Sequence, residues 1–515
     1  MKNDTILRLI LSQKGVKLNL ENKSGYASLT WAIKCGSEAA VKLLLEQDDS
    51  IINPSQLTNH TQVPLHTSLW AKDSAMLRLL IQHEDINPNL RDSSGFTTLA
   101  RAIESKHRAA VMLLLKNKDT DASIDATDSG STHLGIAATQ SDDRIFQMVL
   151  ERQDTDVNAP NYGYPPLCLA AKANKASHVK LLLEHPNIEI NKTSSSRDAP
   201  RATALWHAME RGHTQVARLL LTQEDIDATA HPKNDMALLQ LATKNRDIDI
   251  LHELLPQNTT NLNLTTCSEG NPLAQAVDLG QFHIVRLLLE QPDIDPNARF
   301  ENFQSDSIMR LITNKKTGNY HLYDPCQGME TYGSVAHVWI SAWSLASNTQ
   351  CLEALLQHNK IDPNLKDDRF KRTPLYVAVL YEEQERVQLL LAHPRTNPNL
   401  RDIYGWTALH GAVYCRNSRI VGFLLAHAQI DPNRADEEGR TPLLIAVDRE
   451  NETIARQLLK HPKTRPDFNP RFGKTASMLA QEKGYTGMIR AFEERAILDR
   501  KDKAFPSKKG GDSKC

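Results

Sequence analysis

Thr373-Pro-Leu-Tyr-Val-Ala378 returns as Thr407-Ala-Leu-His-Gly-Ala412, as Thr441-Pro-Leu-Leu-Ile-Ala446 and, worn, as Thr475-Ala-Ser-Met-Leu-Ala480, each copy 34 residues after the last. Looser copies align through Ala32, Ser68, Ala102, Ala137, Ala170, Ala208, Ala242 and Ala276, at gaps of 33 to 38 residues. After each anchor comes a second apolar run, such as Leu43–Leu45, Leu113–Leu115, Leu181–Leu183, Leu219–Leu221, Leu287–Leu289 and Leu389–Leu391. A polar, Pro-containing stretch follows, for example His-Pro-Arg-Thr-Asn-Pro-Asn-Leu-Arg-Asp at 393–402. Self-similarity at a fixed period of roughly 20–50 residues marks a repeat array and decides the fold ahead of any single residue.

Each piece of the period has a physical reading. The Thr can cap a helix by accepting an orphan backbone N–H. Pro directly after it suits the first helical turn, where no N–H is needed. Leu and Ala three apart share one helical face, and the Leu triplets give a second helix its buried stripe. Pro186, Pro292, Pro394 and Pro462 stop that helix. Gly25, Gly95, Gly130, Gly163, Gly405 and Gly439 precede the next block, where a turn calls for positive φ. A unit of helix, tight turn, helix and long loop cannot bury its own apolar face, so about 12–13 such units must stack into an all-α solenoid with one interruption.

Composition narrows the function. The chain has 515 residues, 61 basic and 62 acidic side chains and a formal net charge of −1. That balance argues against a nucleic-acid binder, whose affinity rests on phosphate-neutralising Lys and Arg. Seven cysteines with no Cys-x-x-Cys pair exclude a disulfide scaffold and the usual zinc spacings. The apolar run Ile6 to Leu11 is short and broken by Arg8, so no signal peptide is expected. No stretch approaches the ~20 apolar residues of a membrane span. The expectation is a cytoplasmic and/or nuclear monomer with protein partners, no cofactor, no metal, no membrane and no direct nucleic-acid contact.

On the period near 34 and the Thr-Pro-Leu-x-x-Ala signature, the sequence resembles the ankyrin-repeat family over about residues 20 to 493. It departs from that pattern in detail. The His after Leu survives as His66 and His410, with Trp206 and Tyr376 elsewhere, and the Gly-Ala after the second helix gives way to His-Pro or Gln-Pro and an Ile-Asp-Pro-Asn loop. This variant is similar to divergent stand-alone arrays of filamentous fungi. The resemblance implies a non-catalytic protein-interaction scaffold, and by analogy a transcription co-regulator of a secondary-metabolite gene cluster. A substrate adaptor in a ubiquitin-ligase or signalling complex is the alternative, and an enzyme accessory with a site in 300–335 the remote one.

The expected layout is an N-terminal capping helix in 1–24, a first array over 25–299, a degenerate repeat or insertion at 300–337, a second array with its cap over 338–498 and a Lys-rich disordered tail at 499–515. Between Ala276 and the next anchor near Ala342 lie 66 residues, close to two periods, holding Tyr320, Tyr323 and other aromatics. Aromatic anchors dominate interfaces, so these two join the loop-tip residues Tyr26, Phe96, Tyr162, Tyr404 and Trp406 as candidate partner contacts. The loop Thr193 to Pro200 reads as a flexible insertion, with a phosphorylated switch as the sharper alternative. Gly473-Lys474-Thr475 lacks the first Gly of a phosphate-binding loop, since Phe468 stands there, and Thr475 reads as a helix cap. His252-Glu253 lacks the second His of a zinc-protease helix. The acidic run Asp119 to Gly130 has Ile124 where a calcium loop turns on Gly. His321, Asp324, Cys326 and Glu330 lie close in sequence, which by itself supplies no nucleophilic geometry.

Overall fold

The computed structural model describes residues 2–13, 15–47, 63–70, 74–139, 142–196, 201–229, 237–256, 262–263, 271–302, 323–324, 328–329, 338–341, 349–367, 370–468 and 473–504. The chain forms two compact units, Met1–Thr260 and Asn261–Cys515. The described residues of the first hold helix Lys2–Leu11 and seven helix pairs, from Ser28–Lys34 with Glu38–Leu45 to Leu238–Asn245 with Ile248–Leu254. Those of the second hold five pairs, from Pro272–Asp278 with Phe282–Leu289 to Ala476–Glu482 with Thr486–Ala504, and the single helix Thr349–Gln357. Outside the helices, strand Arg299–Asn302 pairs antiparallel with Val338–Ser341, and Tyr323–Asp324 with Gly328–Met329. No described helix is long and apolar enough to cross a membrane.

The local signals act as their chemistry requires. Thr97, Thr203, Thr373, Thr441 and Thr475 each accept the backbone N–H three residues on. Pro64, Pro166, Pro272, Pro374 and Pro442 occupy the first helical turn. Of each Leu triplet the middle residue is the most consistently buried, as Leu114, Leu182, Leu220, Leu288 and Leu390 show at 0% exposure. Successive helical residues point about 100° apart, so three in a row cannot share one face. The stripe is completed one turn back by Val111, Val179, Ala217, Val285 and Val387, all equally buried. First helices pack on neighbouring first helices and second on second, as Thr98–Glu104 does on His133–Thr139 and Ser418–Ala426 on Glu452–Lys460.

A ladder of asparagines ties successive loops together. In each rung an Asn side chain donates to a carbonyl of the next repeat and accepts an N–H two residues beyond it. Asn364 bonds Arg395 O at 2.8 Å and Asn397 N at 2.7 Å, Asn399 bonds Gln429 O at 2.7 Å and Asp431 N at 2.8 Å, and Asn433 bonds Lys463 O and Arg465 N, both at 2.7 Å. Asn89, Asn158, Asn191 and Asn263 form the same pair of bonds. Where Ser123 takes the Asn position, Arg152 bonds Leu115 O and Thr120 O of the preceding repeat instead.

One rung defines the interruption. Asn297 bonds Lys360 O at 2.7 Å and Asp362 N at 2.8 Å, sequence separations of 63 and 65 where the other rungs of the same unit span about 30 to 33. Helix Phe282–Leu289 correspondingly packs on Thr349–Gln357. The repeats on either side of the interruption are direct neighbours, and the chain leaves and re-enters the stack through the strands Arg299–Asn302 and Val338–Ser341. Most of 300–337, including Tyr320, His321, Cys326 and Glu330, lies outside the described residues, and of Tyr323 and Asp324 only the backbone is described. The last helix continues to Ala504, past position 499, and the remaining tail lies outside the described residues.

Candidate functional site

Short fingers project between the second helix of one repeat and the first helix of the next. Several are built on an acidic or amide side chain that folds back over its own tip. Asp92 Oδ1 accepts Ser94 N at 2.9 Å and Phe96 N at 3.0 Å; Asp402 Oδ1 accepts Tyr404 N at 2.9 Å and Trp406 N at 2.8 Å. Asn22 and Asp436 repeat the arrangement. The turn closes at a residue of positive φ. At Gly405, φ is +80° and an added Cβ would lie 2.8 Å from Glu437 N, so glycine is required there.

Neighbouring fingers are bonded edge to edge. Asp128 N donates to Gly95 O at 3.1 Å, Ser195 N to Gly163 O at 2.7 Å, Ile403 N to Phe370 O at 3.0 Å and Glu437 N to Tyr404 O at 3.1 Å. The first half of the loop at Thr193 is thereby held, with Ser194 and Ser196 buried, while residues 197–200 lie outside the described residues.

Buried imidazoles support the fingers from below. His410 Nδ1 accepts Thr407 N at 3.1 Å and its Nε2 meets Arg440 O at 3.2 Å. His133 meets Ala122 O at 3.1 Å and Thr97 Oγ1 at 2.8 Å, and His66 Nε2 meets Phe96 O at 2.9 Å. Burial lowers His133, His207 and His410 to about 4, so these imidazoles are neutral at pH 7. Burial pushes the Cys168 thiol up to about 12 and Cys415 to about 11, which leaves neither as a thiolate nucleophile.

The candidate contact residues separate into two kinds. Tyr162 is 61% exposed and its hydroxyl lies 2.8 Å from Ser129 Oγ of the preceding finger. Tyr26 and Phe96 are half-buried, each under a cation of the following first helix: Lys34 Nζ lies 4.1 Å from the Tyr26 ring centroid, and the Arg101 guanidinium 4.0 Å from that of Phe96. Tyr404 is also half-buried. Trp406 is buried at 2% exposure, donates its indole N–H to Asp436 Oδ2 at 3.2 Å and packs 5.3 Å from Tyr414, so its work is inside the stack. The sequence reading missed Trp31 and Trp70, 46% and 75% exposed, in and just after the adjacent first helices Ser28–Lys34 and Pro64–Ser68. A signal was available for Trp31, which takes the position of Arg101 in the capped block, four residues past the cap.

The remaining motifs are absorbed by the stack. The carboxylates of Asp119 to Gly130 diverge, Asp121 bonding Ser123 and Asp128 pairing with Arg91. Among the described residues no three His, Cys, Asp or Glu side chains converge as a metal site would require. His252 lies on the second helix Ile248–Leu254.

A family model described as ankyrin repeats in three copies matches residues 1–92, 99–194, 134–232 and 340–436. The chain is 22% identical over 385 residues to the ankyrin repeat domain-containing protein SAT10 of Stachybotrys chartarum, covering 69% of this chain and 19% of that protein. It is 28% identical over 206 residues to Rabankyrin-5 of Mus musculus, covering 38% and 17%. The chain therefore spans less than a fifth of the length of these relatives. Among solved structures, the ankyrin repeat domain of Bcl-3 aligns with a TM-score of 0.40 and 27% identity, over 44% of this chain and 99% of that one.

Proposed function

From the premise that this chain belongs to the ankyrin-repeat family, a module of protein–protein interaction, we propose that it is a non-catalytic scaffold that binds protein partners through its fingers and first-helix ends. The edge-to-edge bonding of the fingers carries this reading. It presets the spacing of the exposed side chains, so little conformational freedom is lost when a partner docks. Exposed Trp31, Trp70 and Tyr162 supply the aromatic anchors that dominate such contacts. Affinity purification of the intact chain against the variant Trp31→Ser/Trp70→Ser/Tyr162→Ser tests the proposal. Loss of specific partners with an unchanged circular dichroism spectrum is expected, and an identical partner set from both proteins refutes it.

The resemblance to fungal stand-alone arrays extends the reading to a transcription co-regulator that assists a DNA-bound activator. Chromatin crosslinking should enrich the chain at promoters only while the activator is present. A chain that never enters the nucleus excludes this role and leaves the scaffold reading intact.

A further inference from the structure

A second surface stands apart from the fingers. Each second helix ends in a five-residue segment before the loop, and in four consecutive repeats, at 357–361, 392–396, 426–430 and 460–464, that segment contains no acidic residue and has a histidine second in line. Lys360, Arg395, Lys460 and Lys463 lie in these segments and are exposed. The corresponding segments 46–50, 82–86, 116–120, 151–155, 184–188, 222–226, 255–259 and 290–294 hold thirteen Asp or Glu and three Lys or Arg, with no charge in 255–259. One structural position has thus lost its acids along a run of repeats whose second helices pack successively on one another, and it has gained cations at three of the four, 426–430 carrying none. Helix C-termini carry partial negative charge that one cation each would offset. Here the cations have no carboxylate partners among the described residues: Lys360 donates to Pro292 O at 2.8 Å, Arg395 to Asn359 O at 3.1 Å and Lys463 to Ala428 O at 2.6 Å. The nearby acids are engaged, Asp362 by Asn364 N and Asp431 by Arg434 and Asn433 N.

We propose that this basic strip binds an extended, carboxylate-rich segment of a partner protein. Packed helices repeat at about 10 Å and an extended chain advances about 3.3 Å per residue. An acidic residue at every third position therefore keeps step with the repeats, meeting Lys or Arg at three of them, while Lys463 reaches back over 426–430 to Ala428 O, and a segment of about a dozen residues spans all four.

Fluorescence anisotropy of the full chain with labelled (Glu-Ser-Ser)4, and with a peptide of the same composition whose four Glu are contiguous, tests the strip. The periodic peptide should bind at low ionic strength at least threefold more tightly than the block peptide, and should weaken as salt rises. Lys360→Gln/Arg395→Gln/Lys463→Gln should weaken it about tenfold. Those three side chains also bond backbone carbonyls, so Lys460→Gln serves as a second variant, with a loss of about twofold expected. No binding at low salt, equal binding of the two peptides, or binding unchanged in both variants overturns the proposal. A salt-labile dimer of the free chain that the same substitutions abolish would assign the strip to a second copy and overturn it equally. Because the finger residues are untouched, neither failure bears on the scaffold reading.

Discussion

Lowering the pH from 7 to 5 should destabilise the second unit through His410. Its Nδ1 accepts Thr407 N–H, so the nitrogen that a second proton would occupy is already used, and burial holds the imidazole at about 4. In the unfolded chain the same group titrates near 6.5, its ordinary value. The folded value is depressed, so the unfolded state binds the proton first. Stability is complete above about pH 6.5 and falls as pH drops towards 4. At pH 5 the unfolded imidazole is nearly all charged and the folded one nearly all neutral, and linkage gives a loss of about 2 kcal/mol. Glutamine can stand in without titrating, because Gln240 already does so at the same helical position, its Oε1 accepting Ala237 N at 2.9 Å. Urea unfolding of the intact chain and of His410→Gln, each at pH 7 and pH 5 and followed by tryptophan fluorescence, isolates the group. His133 and His207 remain in both proteins and cancel in the comparison. The native chain should lose about 2 kcal/mol more than the variant over this interval. Equal losses would refute the reasoning, since they would mean that His410 does not carry the acid sensitivity assigned to it.

Asn399→Ala removes one rung and leaves the carbonyl of Gln429 and the N–H of Asp431 without their partner. A cost of about 2 kcal/mol and faster amide hydrogen exchange at Asp431 are expected. Gly405→Ala puts a side chain at φ +80° and 2.8 Å from Glu437 N. It should cost about 2 kcal/mol in urea unfolding and speed exchange at the Glu437 amide, which bonds Tyr404 O across the two fingers.

Much of the fold was legible because its determinants are local and recur. The Thr caps, first-turn prolines and loop glycines act within a few residues of themselves, so sequence spacing locates them. The helix–helix turn was harder to read. Gly36, Gly212, Gly280 and Gly484 adopt positive φ there, and so do Lys106, Asn174, Arg246, Glu382, Arg416 and Glu450 at the same place in other repeats. A left-handed residue costs about 1–2 kcal/mol, which tertiary bonds can offset. Glu382 accepts from Asn417, and Arg416 donates to Arg449 O at 2.9 Å. Such compensation is nonlocal and invisible to propensity. The loop aromatics divided in a way seen only in three dimensions. Tyr162 precedes its glycine and is exposed, Tyr404 precedes Gly405 and is half-buried, and Tyr26, Phe96 and Trp406 follow theirs and are at least half covered, so position beside the glycine does not by itself decide exposure. The asparagine ladder had a sequence signal, an Asn closing the loop at the array's own period, but its partners are backbone groups of the next repeat, about 30 residues away, which local spacing does not reach.

The interruption shows why a nearest-neighbour stack can gain surface without losing its core. Stability in such an array is nearly a sum over interfaces between adjacent repeats. The interface across residues 299–341 is intact: Phe282–Leu289 packs on Thr349–Gln357, Asn297 completes its rung, and Lys360 reaches back to Pro292 O. What the extra chain adds is a longer loop to close, and each doubling of length costs only about 0.6 kcal/mol. The separation across the rung rises from 31 residues to 63, about one doubling, so the cost lies below that of one rung of the ladder. Against several rungs and a full helix interface, that is a small perturbation. The same reasoning locates variation in this protein. Residues that hold one repeat to the next are confined by their partners on both sides, while finger tips and segment ends can change charge and shape one repeat at a time. The loss of acids at the ends of the second helices is such a change, made at four successive repeats, three of which gained cations, while the rungs beneath them kept the same bonds.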